Sequence, residues 1–562
     1  RAIPLAIWRN GGMKTKMLRA WVVASLLVGL SCQSFAGGGQ WTVVAWNNLG
    51  MHCMDDDYSV FSILPPFNTI NAQVMDAAGH LITDPAAAGI TVTYQSVANA
   101  DGSINTTSLG KTNFYDYAAV LYGANVSVDA GLAGKSMPGA ANAPQTMNWV
   151  AGMNWFEAAG IPICPTDDAG HQNPYPLMRV SVKNTSNTVL ASADIVVPVS
   201  DEMDCRACHT SGTGSAAAMP AAGWVNDAND KRDFRLNILR LHDEKNAAKP
   251  TYAAALAAMG YPSQGLYHSV VNANKQVLCA HCHASEALGT GGAAGVPPLT
   301  AAMHSKHATV INPTNGLQLD NIASRNSCYM CHPGSETRCL RGAMGSAVNA
   351  ADGSLVMQCQ SCHGNMAAVG HPARVGWLEQ PNCQACHHDG LREVSALDAT
   401  GKLKTPADTR FATTPNTPAT GVSLYRFSAG HGGLQCEACH GATHAEYPAS
   451  HENDNLLSIA LQGHAGTVAE CTVCHATVPN TASGGPHGMH TVGAWWVEEH
   501  GDRAEGSGSR ACTACHGADY RGSPLSKVTA ARSFRVEGRT KTFAAGQSVG
   551  CYDCHNGPTG GN

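Results

Sequence analysis

Nine copies of the pattern Cys-x-x-Cys-His dominate the second half of this 562-residue chain. At the chain's own cysteine and histidine frequencies, chance would produce roughly 0.04 copies of this spacing. We number them motif 1 to motif 9 in chain order: Cys205/Cys208/His209, Cys279/Cys282/His283, Cys328/Cys331/His332, Cys359/Cys362/His363, Cys383/Cys386/His387, Cys436/Cys439/His440, Cys471/Cys474/His475, Cys512/Cys515/His516 and Cys551/Cys554/His555. They use eighteen of the 22 cysteines, so any fold for this chain has to accommodate them first.

The spacing is that of covalent c-type haem attachment. Two thiols three residues apart reach the two vinyl groups of one haem, and the adjoining histidine becomes the proximal ligand of the iron. Zinc ribbons also pair Cys-x-x-Cys units, but they do not require a histidine after every second cysteine. The sequence therefore predicts nine haems c, each held by both cysteines of its motif and with the motif histidine as its proximal ligand.

Residues 201–562 supply about 40 residues for each haem. With so little polypeptide per cofactor, the haems themselves form the core, and short helices and loops are expected around them. The motifs are unevenly spaced, which excludes a solenoid of equal repeats. We predict a nonahaem cytochrome c domain over residues 201–562.

Seventeen histidines lie outside the motifs, and fourteen of these fall within the haem region. Their obvious use is the sixth position on each iron, which would give bis-histidine ligation and leave no position open for a substrate. Ten are candidate distal ligands: His242, His304, His307, His431, His444, His451, His464, His487, His490 and His500.

His242 has the clearest local context among these candidates. Phe234, Ile238, Leu241 and His242 fall on one face of a predicted helix. The pair Asn229–Asp230 is placed to cap the start of that helix.

The N-terminal part carries different signals. Residues 13–36 have a basic start, a short apolar stretch and small residues at the end, which predicts a secretory signal and an oxidising destination. Residues 1–36 contain five basic and no acidic side chains, so their removal takes the formal charge from −6 to −11. With no basic block, nucleic-acid binding is not expected.

Residues 37–200 contain no haem motif and alternate between apolar and polar residues. Ile90, Val92 and Tyr94 follow this alternation, as do Val180 and Val182 before a turn at residues 184–187. Residues 41–46 form another strand candidate. We predict an α+β protein in which a haem-free, β-sandwich-like domain precedes the multihaem domain.

Two smaller features stay open at this stage. Asp55–Asp57 and Asp167–Asp168 can offer oxygen ligands to Ca²⁺, or they are solvated loop acids. Cys32 lies inside the predicted signal. Of the remaining cysteines, Cys53, Cys164 and Cys339 lie outside the motifs, and being three they can form at most one disulfide among themselves.

Several local strings, together with the nine motifs, resemble the multihaem c-type cytochromes of metal-reducing bacteria, including the outer-surface, nanowire-forming (Omc-type) members. The strings are Asn48–Asp55, Cys436–Tyr447, His487–Val492 and Cys512–Gly522. This resemblance implies secretion, bis-histidine haems and long-range electron transfer.

Three functions follow from these features. The first is an electron conduit at the outer surface, which passes electrons between redox-partner cytochromes and external acceptors or minerals, with self-assembly into filaments as an extension. The second is a periplasmic multihaem reductase for nitrite, hydroxylamine or a sulfur oxyanion. Some such reductases mark the open iron with a lysine in the motif, and no Cys-x-x-Cys-Lys occurs here. The third is an adhesin in which the β domain binds a surface. We expect the conduit, and hence no catalytic residues.

Overall fold

The computed structural model describes residues 39–203, 205–313, 315–321, 325–374, 381, 383–388, 391–404, 429–505 and 508–558, all of which belong to one compact unit. The predicted secretory signal, residues 13–36, lies outside the described residues. The chain contains both sheets and helices, so the α+β class is confirmed.

The strands are Thr42–Asn47 (β1), His52–Cys53 (β2), Phe61–Ser62 (β3), Asn68–Met75 (β4), Ile90–Val97 (β5), Gln145–Thr146 (β6), Asn148–Val150 (β7), Trp155–Ile161 (β8), Leu177–Asn184 (β9), Val189–Val196 (β10), Val199–Ser200 (β11), Val277–Leu278 (β12), His387–His388 (β13), Leu391–Arg392 (β14), Arg532–Val536 (β15) and Arg539–Phe543 (β16).

The α-helices are Phe114–Tyr122 (α1), Arg206–His209 (α2), Asp230–Asn246 (α3), Pro250–Ala258 (α4), Leu266–Val271 (α5), Cys279–Cys282 (α6), Leu299–His307 (α7), Asn326–Tyr329 (α8), Ala343–Ser346 (α9), Cys359–His363 (α10), Met366–Val369 (α11), Cys436–His440 (α12), Leu456–Gln462 (α13), Ala494–Ala504 (α14) and Ser509–His516 (α15). Short 3₁₀ turns include Cys383–Ala385, Cys471–Val473 and Cys551–Asp553.

Two four-stranded antiparallel sheets organise the first 200 residues. Their strand orders are β1-β4-β8-β7 and β10-β9-β5-β6. In β5, buried residues alternate with exposed or half-buried ones, which confirms the predicted strand with Ile90, Val92 and Tyr94 on the inner face. β9 and β10 form the predicted hairpin, in which Asn187 takes a left-handed φ of 60° at the turn.

One hydrophobic cluster joins the inner faces of both sheets. It includes Trp46, Ile70, Val92 and Val180, and extends to Leu457 on α13. Every residue of β1 is buried, since this strand contacts β10 and also α12 from the later part of the chain. The core of the two sheets is therefore shared with elements beyond residue 200.

Two short parallel ladders connect segments that are distant in the chain, and the second of them reaches beyond residue 200. β2 pairs with β11, and β3 pairs with β12, so that Val277 lies opposite Phe61. β12 ends directly before motif 2, so this ladder fixes where that motif begins.

The helix predicted around His242 is confirmed as α3. The side chain of Asn229 accepts a hydrogen bond from the Lys231 backbone N–H at 3.0 Å, which caps the helix start as expected. Phe234 is buried and Ile238 packs against an apolar cluster, so this face points inward.

Candidate cofactor site

The nine motifs coincide with short helical turns. Five begin on α-helices, namely α6, α8, α10, α12 and α15, and motif 1 begins at Cys205, the residue before α2. The other three begin on the 3₁₀ turns named above. In a helical turn, residues i, i+3 and i+4 lie on one face. The two cysteines and the histidine of a motif have this spacing, so a regular turn presents them together toward one ligand.

Eight of the nine motif histidines face a second histidine from elsewhere in the chain. The two rings come from positions between 26 and 98 residues apart, so their meeting is a tertiary contact. The pairs, with the separation of ring centroids, are His209–His307 (6.5 Å), His283–His242 (6.4 Å), His332–His304 (6.1 Å), His363–His444 (6.1 Å), His440–His487 (6.0 Å), His475–His431 (6.0 Å), His516–His490 (6.2 Å) and His555–His500 (5.4 Å).

This separation matches two imidazoles on opposite sides of one metal. A metal–imidazole distance of about 2 Å on each side puts the two ring centroids roughly 6 Å apart. Two rings in direct van der Waals stacking would lie nearer, as the 4.0 Å between His490 and Trp496 illustrates. Only the last pair is tighter, with 3.2 Å between Nε2 of His500 and Nε2 of His555.

Backbone carbonyls hold several of these rings in one tautomer. A carbonyl only accepts, so a ring nitrogen beside it must carry the proton, which leaves the other nitrogen free to bind a metal. Nδ1 lies 2.6–3.2 Å from a carbonyl oxygen in His283, His304, His307, His444, His490, His500 and His516. In each case Nε2 is the nitrogen left for the metal.

Burial also keeps motif histidines neutral. Burial, and next the facing histidine, lowers the pKa of His209, His332 and His440 to about 4 each, and that of His363 to about 3. A neutral imidazole is the form that binds metal ions. These rings are therefore ready to ligate at neutral pH.

A cavity of about 3690 Å³ connects most of the motifs. It is lined by cysteine and histidine side chains from motifs 3 to 9. Pockets for single small molecules hold about 300–1,000 Å³. The volume suits several large cofactors side by side, and the apolar residues around the motifs suit a macrocycle such as haem.

This cavity does not reach every predicted thioether cysteine. Its lining leaves out both cysteines of motif 1, both cysteines of motif 2 and the second cysteine of motif 3: Cys205, Cys208, Cys279, Cys282 and Cys331. Motifs 1 and 2 therefore contribute no cysteine to the lining, although His281 within motif 2 does line the cavity.

One side of Cys208 in motif 1 is covered by other parts of the chain. It is half-buried on α2, and its carbonyl oxygen accepts from the Thr213 hydroxyl at 2.7 Å. α2 packs against α3, where Asn237 Nδ2 donates to the His209 carbonyl oxygen at 3.0 Å. These contacts separate motif 1 from the large cavity, and the thioether bond of Cys208 stays a prediction.

Cys331 of motif 3 departs furthest from the expected placement. α8 ends at Tyr329, and Cys331 follows in a turn in which its backbone N–H donates to the Cys328 carbonyl oxygen at 3.1 Å. Cys331 is exposed, whereas Cys328 is half-buried and lines the cavity with His332. The two cysteines of this motif therefore differ in exposure, although the His332 backbone N–H still donates to the Cys328 carbonyl oxygen at 2.9 Å, as in a helical turn. The thioether bond of Cys331 also stays a prediction.

The described residues contain no group of three or more histidine, cysteine or acidic side chains arranged around a metal ion. Haem needs only two protein ligands on its iron, because the macrocycle supplies the other four. Paired rather than clustered histidines therefore fit haem better than they fit a bare metal ion.

Helix α7 supplies histidines to two different motifs. His304 faces His332 of motif 3, and His307 faces His209 of motif 1. Because the two are three residues apart on one helix, the sites of motifs 1 and 3 are neighbours.

The same arrangement recurs near the C-terminal end. His487 faces motif 6 and His490 faces motif 8. Trp496 stacks on His490 at 4.0 Å with an interplanar angle of 8°, and its ring lies 6.0 Å from His500. One indole thus lies between the sites of motifs 8 and 9.

Motifs 3, 4 and 5 are also close together. The Cys328 thiol donates a hydrogen bond to Cys359, which raises the pKa of Cys328. Burial, followed by the nearby Cys386, raises the pKa of Cys362 to about 12. Successive sites therefore lie beside one another through much of the haem region.

Two predicted distal ligands are placed elsewhere. His451 stacks on Tyr175 at 3.7 Å, and its Nδ1 accepts from the Asn453 backbone N–H. Nε2 of His464 lies 3.4 Å from a carboxylate oxygen of Glu470. Within the described ranges, neither ring is paired with a motif histidine.

His387 of motif 5 lies on β13, between stretches that are not described. It lines the same cavity as its neighbours. The identity of its second ligand stays a prediction.

The acidic triplet near residue 56 has a role that the sequence reasoning missed. The carboxylate of Asp56 accepts hydrogen bonds from Arg206, inside motif 1, and from Arg235 on α3. Although burial opposes it, Arg235 and then Arg206 hold the pKa of Asp56 below its usual value. The sequence did contain a signal for this contact. The triplet is acidic, whereas motif 1, Cys-Arg-Ala-Cys-His, contains an arginine of opposite charge.

The other carboxylates considered for Ca²⁺ also have protein partners. Asp55 accepts from the Ser62 hydroxyl at 2.6 Å, and Asp168 accepts from Lys111 Nζ at 2.8 Å. Asp167 accepts from the His171 backbone N–H at 2.8 Å. These contacts account for the acids without an ion.

Within the described ranges, no helix combines the length and the apolar composition needed to cross a bilayer. Comparison with protein-family models, with curated proteins and with solved structures finds no match to this chain.

Proposed function

We propose that this chain is a nonahaem c-type cytochrome whose function is long-range electron transfer. The observation that carries the proposal is the pairing of eight motif histidines with a second histidine at centroid separations of 5.4–6.5 Å. With both axial positions taken, an iron between such rings has no place for a substrate. That favours a conduit over the multihaem reductase.

Haem bound at these sites would supply an iron that alternates between ferric and ferrous states, and neighbouring sites would supply a path for electrons. The chain's own residues have three tasks in this arrangement. The motif cysteines bind the macrocycle covalently, the paired histidines fix its orientation from both faces, and the apolar lining excludes water from it. Ligation by two histidines, without methionine, favours low reduction potentials.

The domain arrangement we propose is a haem-free β-sandwich, residues 37–200, followed by the haem domain, residues 201–562. Two sheets with a common core support the first part. Nine helical turns carrying the motifs support the second.

We place the protein outside the cytoplasm, at the outer surface or beyond it. The secretory pattern of residues 13–36 supports export. Each ferric bis-histidine haem adds about one negative charge through its propionates, which takes the chain from −11 to roughly −20. Such a surface favours cationic partners and minerals that expose metal cations. As electron donors we expect further cytochromes. Head-to-tail joining of such subunits would extend the path into a filament.

The ligation state of the irons tests the proposal. The oxidised protein should give only low-spin ferric signals, and the reduced protein should not bind CO stoichiometrically. A high-spin ferric signal with stoichiometric CO binding would favour the reductase.

Two histidines beside motif 2 provide a matched pair of variants. His242 faces His283 at 6.4 Å, whereas His281 hydrogen-bonds to the Tyr261 hydroxyl at 3.0 Å. His242→Ala should convert one haem of nine to a CO-binding form, and His281→Ala should convert none. Equal behaviour of the two variants would contradict the assigned pair.

Protease added to whole cells tests the location. We expect the haem protein to be digested. Haem protein found only in the periplasm, and protected from protease, would refute the surface assignment.

A further inference from the structure

Three cysteines beyond the predicted signal are not used by the motifs, and their surroundings differ. Cys164 is 1% exposed within the hydrophobic core of the two sheets. Cys53 is in β2 and Cys339 lies in the segment that follows motif 3, and both line the large cavity. All three are thiols in this structure.

A short ladder turns Cys53 toward the segment that holds Cys339. Cys53 is directly opposite Ser200 in the parallel pairing of β2 with β11. Side chains of directly paired residues project from the same face of a ladder. The Ser200 hydroxyl is 3.0 Å from the hydroxyl of Thr337, only two residues before Cys339.

A second contact brings the residues just before Cys53 close to Cys339. Arg341 Nη1 donates to the carbonyl oxygen of Gly50 and also lies 3.5 Å from the carbonyl oxygen of Cys339. One nitrogen therefore joins a residue three positions before Cys53 to Cys339 itself. The two cysteines are bracketed by the Ser200–Thr337 contact on one side and by Arg341 on the other.

Further hydrogen bonds fix the segment that precedes Cys339. The carboxylate of Glu202 accepts from the backbone N–H groups of Gly334, Glu336 and Thr337 at 2.7–3.1 Å. Burial, and next the Cys339 thiol, raises the pKa of Cys53. Both cysteines are half-buried, and the effect of the Cys339 thiol on the pKa of Cys53 places the two thiols near each other.

We propose that Cys53 and Cys339 form a disulfide in the exported protein, and that Cys164 stays a thiol. In this step two S–H bonds are broken and one S–S bond is formed. The two protons and two electrons pass to a thiol–disulfide oxidoreductase, whose own disulfide is reduced to two thiols. The bond joins β2 covalently to the segment after motif 3, across the boundary between the sheets and the haem region. It rests on the proposed export, because disulfides persist in oxidising compartments.

Thiol labelling of the exported, haem-loaded full chain tests this inference. The protein is denatured in excess N-ethylmaleimide, with and without prior reduction, and labelled cysteines are located by peptide mass spectrometry. We expect label on Cys164 alone before reduction, and on Cys53, Cys164 and Cys339 after it. Label on Cys53 and Cys339 without reduction would overturn the proposal, as would a linked peptide that contains Cys164.

Two variants sharpen the result. Cys53→Ser should leave Cys339 open to label without reduction, whereas Cys164→Ser should leave the Cys53–Cys339 peptide linked. Failure of haem attachment is read separately, since motif cysteines would then take up the label. The disulfide and the haem proposal can therefore fail independently.

Discussion

The interior of the protein is built differently in residues 42–200 and in residues 205–558. Among the described residues, ten of the twelve largest side chains that are almost fully buried belong to the first region, and only Phe234 and Arg341 to the second. The second region instead contributes most of the lining of a cavity of about 3690 Å³. Side-chain packing stabilises the sheets, whereas the described part of the later region has only a smaller apolar cluster around α3, α4 and α5. The difference supports the proposal that cofactors fill the cavity.

Separating the two regions should give the largest effect. Residues 37–200 expressed alone should be soluble, colourless and rich in β-structure, because most of their core comes from their own strands. Residues 201–562 expressed without haem attachment should remain unfolded, since the cavity would collapse or fill with water. Circular dichroism of both fragments checks this.

An aggregated N-terminal fragment would contradict this part of the comparison. The cluster between the sheets also includes Leu457 and Leu461 of α13. Adding that helix as a separate peptide would then show whether its absence is the cause.

Much of the first region was predictable from its sequence, because its signals are local. The alternation in residues 90–94 gave β5, and in the later region the apolar face with its Asn229 cap likewise gave α3. The ladder between β2 and β11 was not predictable, since two residues are too few to carry a pattern.

The candidate site, too, was only partly predictable from the sequence. All nine motifs could be read from the chain, but the choice of partner for each motif histidine depends on contacts between distant segments. The exposure of Cys331 was equally hidden, since the motif does not report where its helix ends. His444 and His487 both take left-handed backbone conformations, with φ of 72° and 55°. Such residues are held there by tertiary contacts, which no local pattern reports.

Breaking a buried ion pair of the later region, whose arginine also contacts the first region, should have the next largest effect. Arg341 and Asp454 form a salt bridge with side chains 1% and 3% exposed, and Arg341 also donates to the Gly50 carbonyl. Arg341→Met leaves the Asp454 carboxylate buried and unpaired, which should cost about 3–5 kcal/mol of unfolding free energy. Chemical denaturation measures this loss.

The exposed pair Arg179–Asp194 is the control for that variant. Its arginine side chain is 42% exposed, so Arg179→Met should cost about 1 kcal/mol or less. Equal costs for the two variants would mean that Arg341 does not join the regions.

The stability of the protein should depend on pH through a buried carboxyl group near the boundary between the two regions. Burial raises the pKa of Asp55 from its ordinary 3.8 to about 6. Ionisation therefore destabilises the fold: stability is full below pH 4 and falls as the pH rises through 6. Asp55→Asn keeps the acceptor for Ser62 and should stabilise the protein at pH 7, by on the order of 3 kcal/mol, but not at pH 4.

The exposed Asp116→Asn variant controls for the change in net charge. Thermal unfolding at both pH values gives the comparison. A gain for Asp55→Asn that is equal at pH 4 and pH 7 would contradict the assigned cause.

The smallest effect concerns a helix that carries a candidate ligand. Asn229→Ala removes the side-chain cap of α3 and should cost about 1 kcal/mol. Asn272, exposed at the end of α5, is the control, and its alanine variant should change stability by less than about 0.5 kcal/mol. Denaturation followed by low-spin haem absorbance records both, and a larger loss for the control would argue against the cap.

The central claim is that the second region is built around nine covalently bound haems. Intact-mass measurement of the denatured, exported protein tests it most directly, because thioether bonds survive denaturation whereas non-covalent cofactors are lost. We predict the mass of the processed chain plus nine haems. A mass corresponding to seven or fewer haems would contradict the claim.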